Sequence, residues 1–167
     1  MADPASDSCA ERMRIASYAD LTVATERLLA SAQRELSIAH ADLSLFGLDQ
    51  KARVETLAAL LRSGPRARVR ILVDEPRWLE SAAPRLRRLQ QDYGHVFVLR
   101  QSSESAPVGD GGTLIADQAS YLRLAPTAYP SGELVLRDPR TALSLREHFE
   151  QLWECAAFDL SGRPLGL

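Results

Sequence analysis

Ala67-Arg68-Val69-Arg70-Ile71-Leu72-Val73-Asp74 is the stretch on which the fold turns. It is rich in β-branched residues and lies between Ser63-Gly64-Pro65 and Glu75-Pro76, so it predicts a strand. Ala67, Val69, Ile71 and Val73 share one face, and Arg66, Arg68 and Arg70 begin the other. Upstream, residues 50–62 place Val54, Leu57, Ala58 and Leu61 at helical spacing, and Ser63-Gly64-Pro65 stops that helix. A turn around Gly47-Leu48-Asp49 precedes it, and before the turn residues 36–40 alternate as a short strand. Ala24, Leu28, Ala32 and Leu36 mark another helix over 22–35, with Thr22 as its N-cap. Residues 1–18 carry no hydrophobic period and read as a disordered leader.

Downstream of the quoted strand comes a helical stretch that restarts at Pro84, with Leu86, Leu89 and Tyr93 inward. A strand over 95–99 and a polar loop over 102–112 follow. Three short strands are then expected at 113–117, 121–124 and 133–137. The last helix spans 139–156, capped by Asp138 with Pro139 first, and it turns Leu145, Phe149, Leu152 and Trp153 to the core. Strands alternating with helices imply parallel pairing, while the short-linked cluster implies antiparallel pairing. The expected fold is α/β: a mixed sheet with helices on both faces, one domain over 19–158 and a tail over 159–167.

Composition narrows the class. A chain of 167 residues suits one core, and 46% apolar with 25% charged residues is ordinary for a globular protein. A formal net charge of -2 gives no general pull toward nucleic acid or an anionic membrane. Two cysteines argue against a disulfide framework, and no apolar run reaches the ~18 residues of a membrane span. A cytoplasmic protein is expected.

The order of elements resembles one repeat of the phospholipase D-like superfamily over roughly residues 20–156. The carriers are the segment 57–74, the segment 113–117, Glu133 in a late strand, and Phe149-Glu150-Gln151-Leu152-Trp153-Glu154. The family's chemistry rests on a His, a Lys two residues later and an Asp five after that. The His attacks phosphorus and the Lys offsets charge on the phosphoryl oxygens. Asp117 set on the family's Asp puts Asp110 in the place of the His and Gly112 in that of the Lys. No other register restores the motif. His40, His95 and His148 are followed two residues on by Asp42, Phe97 and Glu150, and Asp49 stands two before Lys51, the only lysine. The resemblance therefore implies a half-repeat that is not an enzyme, working by binding a ligand or protein. It also implies a homodimer, with a partner enzyme or regulator beside it.

Candidate residues follow from position. The carboxyl ends of parallel strands favour ligands, which singles out His40, Asp74 and Arg100, with Asp117 as the retained family position. Arg66, Arg68, Arg70, Arg85, Arg87 and Arg88 form the basic concentration, either an anion site or solvated faces. Histidines and cysteines lack metal-ligand spacing, so neither metal nor cofactor is expected. Two alternatives stay open: a metal-dependent phosphoesterase using Asp110 and Asp117, and a weak nucleic-acid-binding module through the arginines.

Overall fold

The computed structural model describes residues 9–160. Eight strands form one sheet: β1 (Glu11–Ile15), β2 (Glu35–His40), β3 (Arg68–Val73), β4 (Phe97–Gln101), β5 (Gly112–Ala116), β6 (Ser120–Leu124), β7 (Gly132–Leu136) and β8 (Phe158–Asp159). The helices are α1 (Tyr18–Ser31), α2 (Lys51–Arg62), α3 (Arg77–Ala82), α4 (Pro84–Asp92) and α5 (Pro139–Glu154). Strand order is β1-β7-β6-β5-β2-β3-β4-β8. β2, β3 and β4 are parallel, and β5, β6, β7 and β1 pair antiparallel beside them, as the linker lengths imply.

The expected mixed α/β sheet is therefore present, with its helices unevenly divided. Leu21, Leu28, Leu57, Leu61, Leu79, Leu86 and Leu89 from α1 to α4 pack on one face with Leu36, Ile38, Val69, Ile71 and Val73. Ala142, Phe149 and Trp153 of α5 alone close the other face, over Ala39, Leu72, Ile115, Tyr121 and Val135. β3 is consequently covered on both sides from Val69 to Val73, although its arginine alternation reads as half-exposed.

The start of the chain differs from expectation. Residues 11–15, assigned to a leader, form β1, because Glu11–Ile15 find an open edge in β7 and Ile15 is buried beneath α1. Residues 1–8 and 161–167 of the expected leader and tail lie outside the described residues, while Asp159 belongs to β8. The first helix starts at Tyr18 rather than 22. Ser17 caps it by accepting from the Asp20 amide at 3.0 Å, and the Asp20 carboxylate accepts the Ala16 amide at 2.9 Å. Thr22 lies one turn inside and donates its hydroxyl to the Tyr18 carbonyl. At the other end Asp138 caps α5 as expected, accepting the Thr141 amide at 3.3 Å.

Gly132 opens β7 where the Arg123 carbonyl lies directly over it, so a Cβ there would overlap that oxygen. Gly64 has nothing within 4 Å of the same position. Gly132→Ala is expected to lower stability by about 1–3 kcal/mol through overpacking. Gly64→Ala should leave it nearly unchanged, and urea unfolding midpoints measure both.

Candidate functional site

β2 and β5 run antiparallel with His40 opposite Gly112, and this pairing builds the site. A Cβ on Gly112 would stand 2.6 Å from His40 Cδ2, so the imidazole fills the space above a glycine that alone admits it. The ring is 6% exposed and meets Phe46 edge-on at 5.0 Å. Its Nδ1 accepts the backbone N–H groups of Asp42 at 3.2 Å and Leu43 at 2.9 Å, so in the neutral ring the proton resides on Nε2. Burial holds the imidazole below its ordinary value of 6.5, and the nearby Asp42 and Asp74 carboxylates only partly oppose that.

A pocket of about 420 Å³ opens beside the ring. His40, Asp42, Ser44 and Leu45 form one wall, and Asp110, Gly111 and the loop 124–130 form the other. Among the described residues its charged groups are Asp42 and Asp110, with no arginine or lysine. Leu45 and Tyr129 are 42% and 76% exposed at its mouth. Asp74 organises the wall from behind: it accepts the amides of Val108 at 2.7 Å and Gly109 at 3.0 Å and the Ser102 hydroxyl, which sets the course of the loop into Asp110. Ser44, Leu45 and Tyr129 carry no signal of their own in the sequence, since only the β2–β5–β6 pairing brings their loops together.

The other candidates lie elsewhere. Asp117 adopts a left-handed φ of 55° at the far end of β5. Its carboxylate accepts the amides of Gln33, Arg34 and Glu35, at 3.1, 2.8 and 3.1 Å. It is a backbone cap, and five residues of strand separate it from the pocket. Asp110 and Asp117 therefore stand at opposite ends of β5, roughly 20 Å apart at strand rise. They cannot share a metal. Among the described residues no three of His, Cys, Asp and Glu stand together as metal ligands.

The six arginines do not form one patch. Arg68 and Arg70 face α5, whereas α4, carrying Arg85, Arg87 and Arg88, packs on the opposite face of the sheet. Arg70 is a core residue: both of its terminal nitrogens reach the Glu150 carboxylate, and its guanidinium lies 5.0 Å from the Phe149 ring and 5.4 Å from Trp153. That hydrogen bond holds Glu150 below its ordinary value. Arg100 likewise packs on Trp153 at 4.4 Å and donates to its carbonyl at 3.2 Å. Arg85 pairs with Asp49 at 3.7 Å, and Arg87 donates to the Glu80 carbonyl. His95 and His148 are exposed.

This architecture is the phospholipase D-like fold. Nuc of Salmonella typhimurium, a phospholipase D family member, superposes with a TM-score of 0.68 at 16% identity, over 90% of this chain and 98% of Nuc. NucT of Helicobacter pylori gives 0.58 at 12% identity, over 89% and 99%. Phosphatidylserine synthase of Haemophilus influenzae gives 0.57 at 19% identity, over 91% of this chain but 40% of the synthase. Within that fold the chain belongs to the family described as a domain of unknown function (DUF7931), whose match spans residues 17–165. No curated protein matches it.

Two outcomes follow from the site's geometry. Asp117→Ala leaves three amides without their acceptor and should cost about 1–3 kcal/mol of stability, read from denaturant unfolding. His40 titrates lower folded than unfolded, so the unfolded chain binds more protons as pH falls. Its stabilising contribution is complete above about pH 6.5 and is lost progressively below it. The thermal midpoint should fall from pH 7.5 to 5.5, and less steeply in His40→Asn.

Proposed function

We propose that this chain is a non-catalytic phospholipase D-like domain that acts by binding, as a homodimer in the cytoplasm. The observation that carries this reading is His40 over Gly112. Attack on phosphorus needs an imidazole lone pair facing the substrate. The lone pair of His40 lies on Nδ1 and is already taken by two backbone amides. Transfer of a phosphoryl group also needs a cation against the developing charge. The pocket offers Asp42 and Asp110 instead, which repel phosphate.

Support for an assembly is the pocket mouth itself. Leu45 and Tyr129 stand exposed beside Ala125, Pro126, Ala128 and Pro130, an apolar rim of the kind that a second subunit or partner covers. No helix among the described residues is long and apolar enough to cross a membrane. Cys9 and Cys155 are free and exposed, in keeping with a reducing compartment.

Hydrolysis of bis(p-nitrophenyl) phosphate by the full chain, with and without divalent metal, is expected to equal the buffer blank. A rate above blank that His40→Ala abolishes would overturn the non-catalytic reading. Light scattering after size exclusion should give twice the chain mass of 18.4 kDa, and Tyr129→Ser should shift it toward the monomer. A monomeric mass in the unsubstituted protein would remove the homodimer.

A further inference from the structure

The end of the sheet farthest from His40 carries the opposite charge. There a groove of about 500 Å³ crosses the N-terminal ends of β3 and β4, lined by Arg66, Arg68, Arg70 and Arg100 against Glu35. A second hollow of about 500 Å³ shares Glu35 and Arg66 with it and adds Arg34 and Asp117. Five arginines thus face three carboxylates, Glu35, Asp117 and the Glu150 that pairs with Arg70, in a chain whose formal net charge is -2.

Each of these carboxylates is already engaged. Both oxygens of Asp117 are turned to backbone amides. Glu35 is held by Arg68 at 2.9 Å and Arg146 at 3.9 Å, and Glu150 is held by Arg70. Arg34 and Arg66 are exposed and pair with no carboxylate among the described residues. They stand on consecutive turns, one leading into β2 and one into β3, which are parallel neighbours about 4.8 Å apart.

We propose that this groove binds a linear chain of phosphate groups. Guanidinium forks match phosphate oxygens in paired hydrogen bonds. The strip crosses the ends of β4, β3, β2 and β5, about 15 Å at strand spacing, which is longer than a single phosphate needs. Trp153 is buried beneath Arg100, and among the described residues the other ring in the groove is the exposed imidazole of His95, so the strip lacks the series of open rings on which successive bases stack. An acidic peptide is disfavoured because the strip presents strand ends, with the amides of Gln33, Arg34 and Glu35 already bonded, and offers a peptide backbone nothing to pair with. The site is independent of the His40 pocket and stands whether or not the domain is catalytic.

Fluorescence anisotropy of the full chain with a short labelled single strand of DNA, and separately with labelled inorganic polyphosphate, tests it at about 50 mM salt. Binding should weaken with salt along a log–log slope of about −1.4 or steeper for the strand, the mark of two or more phosphates contacted. The double variant Arg34→Ala/Arg66→Ala, which breaks no ion pair, should bind at least about tenfold more weakly with a flatter slope. Arg85→Ala/Arg88→Ala, on the opposite face, should bind as the unsubstituted protein does. Retention of the DNA alone assigns the groove to nucleic acid, and retention of polyphosphate alone assigns it to the inorganic polymer. The proposal fails if neither is retained, if polyglutamate of equal charge competes as well as phosphate, or if the α4 variant loses as much affinity as the groove variant. Circular dichroism melting of Arg66→Gln, a milder change in the same groove, separates lost binding from lost folding.

Discussion

The Asp117 carboxylate, accepting three successive amides at the start of β2, holds one end of the antiparallel pair on which the whole sheet is centred. A charged acceptor saturated by backbone donors is among the stronger local constraints a chain can make. It ties Gln33 to Glu35 against the end of β5, so that Leu36 pairs with Ala116 and, four residues later, His40 meets Gly112. A slip of one residue would turn each side chain of β2 to the other face. The capping at one end of the pair and the imidazole over glycine at the other are thus two consequences of one register. The role of Asp117 is architectural.

The two faces of the sheet divide the work. Four helices bury the leucine-rich face, and α5 alone covers the other, pressing Phe149 and Trp153 onto a buried Arg70. A buried guanidinium is costly unless its charge is matched, and Glu150 on the same helix matches it. Because one helix cannot span eight strands, the ends of that face stay open. The basic groove at the N-terminal ends of β3 and β4 is the result. The acidic pocket at the opposite end has a different origin: it is walled by the loops after β2 and before β5. The molecule is therefore polarised along its strands, an arrangement that net charge conceals.

Most of the fold was legible in the chain. The apolar period in 50–62, the strand at 67–74, proline at 84 and the Asp138-Pro139 start of α5 each gave a local signal that the packing agreed with. β1 was not legible. Glu11–Ile15 is charged, sits at an edge and acquires strand structure only from β7, more than a hundred residues away. The shift of α1 to Tyr18 has a local cause in Ser17 and Asp20, whose reciprocal capping outcompetes Thr22.

The chain's own order of residues determined that no histidine is followed two positions on by a lysine, since that holds in every register. It determined the order of strands and helices from α1 to α5 as well, because hydrophobic period and turn chemistry are local properties. Tertiary structure alone decided what the candidate residues do. Asp74, Arg100 and Asp117 bond to hydroxyl, carbonyl and amide groups of the chain itself, while of the four only His40 lines the pocket between the loops after β2 and before β5. The same holds for the arginines, which one-dimensional spacing groups together and the sheet divides between its two faces. Partners in such contacts lie tens of residues apart, so only the folded pairing of strands reveals which charges are engaged and which are left to meet a ligand.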